Sequence, residues 1–554
     1  MKNPKKTRSD ELRAPLTKAG LVTRGTVFGF LVLFTWAWIF VEMDFVSVFR
    51  GLEDIGNLID YMLPISFDEL DRAIALTLET FWMAVLGTFL AMVFSIPLAF
   101  LAASNTTPNK FLYAFARGVI VFCRAVPDLL FALILVRALS IGPLPGILAL
   151  ALHSIGMIGK LVADAIEQTD KLPRDAVDSV GASRLQSIVT TVLPQILPSL
   201  ISVGLFRLDI NLRSSTVLGL VGAGGVGLLL KETLGQLAYS EALGVVTVIF
   251  IFILAMEALA AAVRGTVLKQ EDEIKNRPAG VSRENDAPAL RKVRPSVLPP
   301  WTKQRISSAG YSLLFALLVV AGFISVNVNF FDLLFSFVDI FVFTLRMFPP
   351  DFVTAWPQIV QGMVETMAIA AVSTVLGTLL SVPLGFLAAK NVSINKTVYS
   401  FSRILLVLIR GIPELILAII FVAAIGLGPV AGIFALSIGT AGFLAKLVAD
   451  SIEEIDPLPR EAVRTTGATR FQELFVSVIP QVMPALIGQL LYTFDINSRS
   501  SAILGIVGGG GIGFLLFNSM KVLAFDTTAA IIIAIFVVVY AVELLAGYVR
   551  RQVI

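Results

Sequence analysis

The chain has 554 residues, of which 56% are hydrophobic and only 15% are charged, and its mean hydropathy is +0.86. Soluble domains contain less apolar and more charged sequence. The net charge of +3 is small and its cations are spread over several loops, which excludes the concentrated basic patch of a nucleic-acid-binding protein. Apolar runs of about 20 residues, the length that crosses a bilayer, recur along the chain. The composition therefore predicts an integral membrane protein.

A polar N-terminal tail precedes the first apolar run, which lies near residues 25 to 42. The tail is too long and too polar for a cleaved signal peptide, so we expect this first span to be retained. Its basic residues are Lys2, Lys5, Lys6, Arg8, Arg13, Lys18 and Arg24. The loop after the first span is acidic instead. Because Lys and Arg collect in cytoplasmic loops, the N-terminus is predicted to be cytoplasmic.

One unit occurs twice in the sequence, at an offset of 286 residues. The stretch "SIPLAFLAASN" aligns with "SVPLGFLAAKN", and "LFRLDINLRSSTVLGLVGAGGVG" aligns with "LYTFDINSRSSAILGIVGGGGIG". The alignment needs no gap from about residue 75 to about residue 260, as expected of a tandem duplication. The spans predicted for the first copy lie near 23–42, 75–103, 112–138, 146–166, 187–206 and 241–263, with counterparts from about 308 onward.

The duplication predicts two repeats and a linker: residues 1–263 with a core at 75–263, the linker 264–306, and residues 307–554 with a core at 361–549. The linker is polar, cationic and rich in proline. Six spans return the chain to its starting side, so the linker and the C-terminus are predicted to be cytoplasmic. The copies then share one orientation, related by an axis along the membrane normal. We therefore expect an all-α fold of about twelve membrane helices around a central path.

A proline between a cation and an acid recurs in the third span of both copies: Arg124, Pro127 and Asp128, then Arg410, Pro413 and Glu414. Proline opens the helical hydrogen-bond ladder, and charges inside a membrane are costly unless they face a partner or water. Two interpretations are open. The span is a broken helix that lines a substrate path, or the charges form an internal ion pair that orients it.

A histidine, a cysteine and two acid–threonine pairs are further polar features of the spans. His153 has no histidine counterpart, because Gly439 takes its place, and it is either a packing residue or a substrate contact. Cys123 is a single cysteine in an apolar run, so neither a disulfide within the chain nor a metal site is predicted. Residues at the span entrances are expected to act as interfacial caps: Glu79 with Thr80, and Glu365 with Thr366.

A polar motif between the fourth and fifth spans, "LPRDAVDSVGASR" at 172–184, returns as "LPREAVRTTGATR" at 458–470. Its proline suits a first helical turn, the next carboxylate complements the positive end of a helix, and its glycine ends the helix. We predict a short amphipathic helix on the cytoplasmic surface of each copy, either a docking site for a soluble partner or a plain connector. The candidate docking residues are Pro173, Asp175, Ala176, Gly181, Arg184, Pro459, Glu461, Ala462, Gly467 and Arg470.

A polar cluster before a glycine-rich turn also occurs in both copies: Arg213, Ser214 and Ser215, then Arg499, Ser500 and Ser501. Guanidinium, hydroxyl and backbone N–H groups suit a tetrahedral oxyanion. Alternatively, Asp209 and Asp495 neutralise the arginines, and the glycines only allow tight packing. The candidate substrate-path residues are these six together with Arg124, Arg410 and His153.

The surface motif, [DE]-A-V-x-x-x-G with a proline thirteen residues after the glycine, resembles the coupling-helix motif of ABC importer permeases. Val177 and Val463 replace the second alanine of that motif, and Asp175 replaces its glutamate in the first copy. The wider pattern, including "RAVPDLLFALI", "GKLVADAIEQ" and "DINLRSS", resembles the permease subunit of phosphonate, phosphite or phosphate importers. This resemblance covers nearly all of both repeats.

The resemblance implies a type I ABC importer permease fold with one coupling helix in each copy. It implies import of a phosphorus oxyanion by alternating access across a prokaryotic plasma (inner) membrane. The implied partners are two cytoplasmic ABC ATPase subunits, an extracytoplasmic substrate-binding protein and membrane lipid, without nucleic acid. The sequence has no G-x-x-x-x-G-K-[ST] motif, so this chain is not predicted to be an enzyme. ATP and Mg²⁺ are expected to bind the partner ATPase, and no cofactor is expected in this chain.

Alternative functions are open at this point. An ABC permease for methionine or an osmolyte is the nearest of them. A secondary transporter with six-plus-six parallel repeats has the same topology, but such a carrier needs no cytoplasmic docking helix. A structural or receptor membrane protein would explain the spans but not the two docking motifs.

Overall fold

The computed structural model describes residues 18–43, 45–275, 303–328 and 330–553. Every regular element in these ranges is a helix, which confirms the all-α prediction. Most of the basic tail and residues 276–302 of the predicted linker lie outside the described residues.

The first copy contains two entry helices, followed by long spans and short surface helices. In chain order its helices are α1 (Lys18–Phe40), α2 (Phe45–Met62), α3 (Leu70–Ala102), α4 (Lys110–Ala125), α5 (Asp128–Leu139), α6 (Pro143–Glu167), α7 (Leu172–Ser179), α8 (Arg184–Ser187), α9 (Leu193–Leu218), α10 (Val226–Gly235) and α11 (Tyr239–Lys275). Helix α2 lies where an acidic loop was expected. Helix α11 continues to Lys275, inside the predicted linker.

The second copy repeats this order. Its helices are α12 (Lys303–Ser325), α13 (Phe330–Arg346), α14 (Phe352–Leu387), α15 (Lys396–Gly411), α16 (Glu414–Ile425), α17 (Pro429–Glu453), α18 (Pro457–Thr465), α19 (Arg470–Glu473), α20 (Ile479–Leu504), α21 (Ile512–Lys521) and α22 (Phe525–Val553). A short π-helical turn joins α8 to α9 and another joins α19 to α20. Helix for helix, the two copies therefore match.

Nine helices in the described part of the chain are long and apolar enough to cross a membrane. Two more spans follow if each bent pair counts as one, α4 with α5 and α15 with α16, which gives eleven. Helix α12 occupies the position of the first predicted span of the second copy, the one that these eleven do not include, and its apolar part is the shorter stretch Phe315–Ser325. The fifth predicted span is longer than expected, because the helical segment runs from Arg184 to Val221.

The chain forms two compact units. The 64–343 unit, Pro64–Phe343, holds the core helices of the first copy together with α12 and most of α13. The 344–554 unit, Met1–Leu63 with Thr344–Ile554, holds the core helices of the second copy together with α1 and α2. The first helix of each copy thus packs on the core of the other copy, α12 on α3 and α1 on α14. These units are defined by contacts between residues, whereas the predicted repeats were defined by sequence similarity. The predicted repeat boundaries therefore stay a prediction.

Small residues let the central helices of each unit approach closely. In the 64–343 unit α3 lies along α6, and a Cβ atom added to Gly87 would be 2.8 Å from the Cβ of Leu150. Alanines line the same interface, among them Ala91 and Ala163, both fully buried. Helices of a membrane protein associate through such van der Waals packing, because lipid gives no hydrophobic drive between them. This packed pair positions the polar groups described next.

Candidate functional site

The two repeated motifs form short exposed helices, α7 and α18. Pro173 lies in the first turn of α7, and Gly181 follows its end with a φ of +82°. Gly467 has the same role after α18, with a φ of +78°. This left-handed conformation favours glycine. Neither helix contains a buried residue, so most of each motif faces outward.

Arginines of both motifs hold these helices against the loop between α3 and α4 in the first copy and between α14 and α15 in the second. Arg174 donates to the backbone oxygen of Asn105 at 2.5 Å, and Arg184 donates to the backbone oxygen of Thr106 at 2.8 Å. The second copy has the same anchor, since Arg460 donates to Asn391 O at 2.5 Å. Arg184 was predicted among the docking residues, and its guanidinium is directed to its own chain.

The two surface helices differ in charge. Glu473 is buried beneath α18 and pairs with Arg460 and with Arg464, whereas Ser187 takes its position in the first copy. In the first copy Arg174 pairs with Asp178, 3.7 Å away. A surface cavity of about 300 Å³ beside α7 is lined by Asn105, Thr169, Asp170, Lys171, Arg174, Asp175 and Asp178. Helix α7 is thus the more acidic of the two surfaces.

The proline-centred spans are broken in both copies. Helices α4 and α5 meet at 92°, and α15 and α16 meet at 79°. Pro127 and Pro413 have extended backbone immediately before α5 and α16. Asp128 opens α5, where its Oδ1 accepts the N–H of Leu129 at 2.9 Å. A break at the proline, which one of the two interpretations expected, is present in both copies, and the roles of Arg124 and Arg410 stay a prediction.

Arg213 lies between two carboxylates. Its Nη2 is 3.7 Å from Asp209 and 3.4 Å from Glu257, which comes from α11. The second copy repeats this group with Arg499, 2.5 Å from Asp495 and 3.7 Å from Glu543. Two acids beside each arginine favour the interpretation in which the arginine is neutralised over direct contact with an anion. Glu257 and Glu543 were not predicted, although the recurrence of a glutamate at equivalent positions of the two last apolar spans was a signal that could have identified them.

The serines after these arginines bond locally. Ser215 is buried and donates to the backbone oxygen of Leu212 at 3.1 Å, and Ser501 donates to Ser498 O at 3.3 Å. The hydroxyl of Ser500 is near the carboxylate of Glu414, the acid that opens α16. Ser214 is half-buried on α9. The cluster of the first copy therefore does not converge on one open pocket in this conformation.

The glycine-rich turns are closed by side chains of the long span. Glu79 Oε1 accepts the N–H of Gly225 at 2.9 Å, and Thr80 Oγ1 accepts the N–H of Val226 at 2.9 Å. Glu365 and Thr366 make the same two bonds in the second copy, at 3.0 and 2.8 Å. These residues were predicted as caps of their own spans. They cap α10 and α21 instead, so these N–H groups already have acceptors.

A buried polar network joins α3, α6 and α9. Asn211 belongs to the repeated polar stretch before the glycine-rich turn, whereas its partners Thr88 and Ser154 were not predicted as site residues. Asn211 Nδ2 donates to Thr88 at 2.9 Å and to Ser154 at 3.1 Å, and Ser154 donates back to the Asn211 side-chain oxygen at 3.1 Å. Arg207 adds a charge to this network, because its Nε donates to Ser154 Oγ at 2.7 Å. Arg207 is only 2% exposed.

The second copy has the same network without the arginine. Asn497 donates to Thr374 at 2.9 Å and to Thr440 at 3.0 Å. Thr493 stands at the position of Arg207 and donates to the backbone oxygen of Gln489 at 2.8 Å. The signal was visible in the aligned stretches "LFRLDIN" and "LYTFDIN", which differ in charge at this one position.

His153 is directed at the break of the bent span. Its Nδ1 is 3.0 Å from the backbone oxygen of Val126, between α4 and α5. Because a carbonyl oxygen only accepts, Nδ1 carries the proton in this contact. In the second copy Glu414 lies where the histidine would be, since a Cβ added to Gly439 would be 2.9 Å from its carboxylate. The contact favours the packing interpretation of His153.

A known protein family matches both copies of the repeat. The model of the family described as "binding-protein-dependent transport system inner membrane component" matches residues 95–267 and 381–554. The phosphate-import permease protein PhnE of Mycolicibacterium smegmatis is 48% identical over 523 residues, which are 94% of this chain and 92% of that protein.

Two further relatives match single copies. The phosphite transport system permease protein PtxC of Stutzerimonas stutzeri is 39% identical over 243 residues, 44% of this chain and 86% of that protein. The methionine import system permease protein MetP of Bacillus subtilis is 34% identical over 170 residues, 28% of this chain and 76% of that protein. These findings confirm the resemblance inferred from the repeated motifs.

Proposed function

Because the chain belongs to the family of binding-protein-dependent transport system inner membrane components, we propose that it is the permease subunit of an ATP-driven importer of phosphate, phosphite or a phosphonate. One observation carries the proposal: the similarity to a phosphate-import permease extends over nearly the whole length of both chains. The similarity to that relative therefore includes both copies and is not limited to one domain.

A methionine permease is a weaker alternative, because its similarity to this chain covers fewer residues. The methionine permease relative matches under a third of this chain. The phosphite permease relative matches a single copy at higher identity. Phosphate, phosphite and phosphonates share a tetrahedral phosphorus with negatively charged oxygens, which arginine recognises through paired N–H groups. A phosphorus oxyanion is therefore the substrate class that we propose.

We further propose that two ABC ATPase subunits dock on the cytoplasmic side, one on α7 and one on α18. Exposed apolar side chains on both segments support this, with Leu172 74% and Leu458 67% exposed. ATP and Mg²⁺ would bind these partners, and a substrate-binding protein would deliver the anion from the opposite side. The basic N-terminal tail supports cytoplasmic termini in a prokaryotic inner membrane.

The anchors of the surface helices suggest how ATP binding would reach the substrate path. Arg174 ties α7 to the loop that leads into α4, and α4 ends at the break before α5. A displacement of α7 by a docked ATPase would pull on this loop and tilt the broken span. Arg460 and α15 give the second copy the same connection. Such a linked movement is what alternating access requires.

The test replaces the glycines that follow the surface helices. In Gly181→Val with Gly467→Val, a β-branched side chain has to adopt a positive φ, which it strongly disfavours, so both docking helices should be distorted. Gly235→Val is the matched control, because this exposed glycine has a negative φ and no atom within 4 Å of an added Cβ.

The measurement is mass spectrometry of partners after gentle purification, together with ATP-dependent uptake of phosphate, phosphite and methylphosphonate. We expect an ATPase subunit to accompany the wild type and the control and to be absent from the double variant, which should still insert. An ATPase that stays bound to the double variant would contradict docking on α7 and α18. No ATPase with any form, or uptake driven by an ion gradient, would contradict the ABC function.

A further inference from the structure

Arg207 carries a buried guanidinium edge that the protein leaves without a strong acceptor. Its Nε is committed to Ser154, and its Nη1 faces the sulfur of Met157 at 3.3 Å. A thioether is a weak acceptor. Its Nη2 is buried and has no hydrogen-bond partner among the residues that the structure describes. A buried donor of a charged group without a partner is costly, so a ligand for the Nη1–Nη2 edge would be stabilising.

Asp128 does not fill this edge. It is close enough to attract the guanidinium electrostatically, but its Oδ1 accepts the N–H of Leu129. Between residues that the structure describes, it forms no ion pair with Arg207 within 4.0 Å. The nearby carboxylate lowers the cost of a cation inside the membrane and leaves the paired N–H groups of Nη1 and Nη2 open.

The second copy shows that the fold does not need this cation. Its polar network around Asn497 is complete without an arginine. Phe443 and Thr493 stand where the first copy has Met157 and Arg207, and Thr493 satisfies its own hydroxyl within α20. Both copies therefore share the asparagine-centred network, and only the first copy has an arginine in it.

We propose that Arg207 is an anion ligand of the translocation path, and that its Nη1–Nη2 edge holds two oxygens of the phosphorus oxyanion. This inference rests on the function proposed above and names the residue that receives the substrate inside the membrane. The guanidinium edge matches two oxygens of a tetrahedral anion. Arg207 sits where α9 and α6 meet, and Asp128 at the break of the bent span acts on it electrostatically. Its burial means that the site opens in another state of the transport cycle.

A single cation also suits transport better than a symmetric pair. An ion that has to be released again must be bound strongly enough to enter and weakly enough to leave. Arg213 and Arg499 are each balanced by two acids, so they add little positive field. Arg207, by contrast, has no acid within 4.0 Å among the residues that the structure describes, and its Nη2 is buried without a hydrogen-bond partner there.

The test replaces Arg207 and its neighbour Met157 by the residue types that the second copy has at the equivalent positions. The double variant Met157→Phe with Arg207→Thr reproduces a pair of residues that this fold already accommodates, so it is designed to assemble. Arg207→Lys keeps the charge but removes the paired N–H groups, and Thr493→Ser in the second copy is the matched control. Complexes of the full chain with its ATPase and binding protein are reconstituted in vesicles, and uptake of labelled phosphate and ATP hydrolysis are measured in the same sample.

We expect the double variant to lose at least about tenfold in phosphate uptake, the effect of removing a hydrogen bond to a charged group. ATP hydrolysis should stay within about twofold of wild type, so phosphate moved per ATP falls. Arg207→Lys should be intermediate, and Thr493→Ser should match wild type.

Three results would overturn parts of this reasoning in distinguishable ways. Uptake by the double variant close to the wild-type rate shows that Arg207 is not a ligand. Uptake, ATP hydrolysis and the amount of assembled complex falling together show that Arg207 is structural. A wild-type complex that imports none of phosphate, phosphite and methylphosphonate overturns the proposed function first, and with it the premise of this inference.

Discussion

Glu79 and Gly225 are joined by a hydrogen bond across 146 residues of sequence, in which the carboxylate oxygen accepts the backbone N–H at 2.9 Å. Glu365 and Gly511 form the equivalent bond at 3.0 Å. In both copies an acid of the long span thus occupies the positive end of the short helix after the glycine-rich turn. The favourable interaction of a carboxylate with a helix N-terminus explains why an acid is placed there.

We predict that Glu79→Ala destabilises the protein by about 1–3 kcal/mol, because the N–H of Gly225 would be left buried without an acceptor. Glu79→Gln should cost less, since its amide oxygen can still accept. The measurement is the apparent melting temperature in detergent. Glu232→Ala is the control: this glutamate pairs at 2.6 Å with Arg72, both more than a third exposed, and exposed pairs contribute little. Equal melting of the Ala variants would contradict the capping role.

The sequence alone was enough to predict the helical fold and the duplication, and it offered a break in the third span of each copy as one of two interpretations. These features depend on local composition and on repetition, which are visible along one chain. Pro127 and Pro413 indicate a bend, because a proline inside a helix removes a backbone hydrogen bond. The short surface helices were predictable for the same reason, from a proline at the start and a glycine at the end.

Contacts between distant residues were not predictable in this way. The exchange of α1 and α12 between the cores depends on which helices pack together in space. Glu79 was expected to cap its own span, yet its partner is Gly225 in a distant turn. Arg207 was not among the predicted site residues, because most of those were residues that recur in both copies, whereas Thr493 stands at the equivalent position of the second copy.

The charge cluster around Arg213 leads to a second prediction. In Arg213→Met, the carboxylates of Asp209 and Glu257 are left partly buried without their cation, which typically costs about 3–5 kcal/mol. The double variant Arg213→Met with Glu257→Gln also removes one of the two negative charges and should recover part of this loss. The yield of monodisperse protein and its apparent melting temperature measure both effects. Normal stability with lost phosphate uptake in Arg213→Met would instead support direct contact with the anion.

The close approach of α6 to the broken span gives a third prediction, in which the two copies serve as each other's control. A Cβ added to Gly156 would lie 2.8 Å from the Cα of Arg124, a backbone atom at the end of α4. A Cβ added to Gly442, the equivalent glycine, would lie 2.7 Å from the Cγ2 of Ile409, a side-chain atom. A side chain can change rotamer, whereas backbone beside a 92° bend can move only with the whole helix.

We expect Gly156→Ala to cost about 1–3 kcal/mol, the usual cost of overpacking, and Gly442→Ala to cost less. Apparent melting temperatures of the two single variants decide the matter, and a larger loss for Gly442→Ala would show that the α4 backbone yields more readily than the Ile409 side chain.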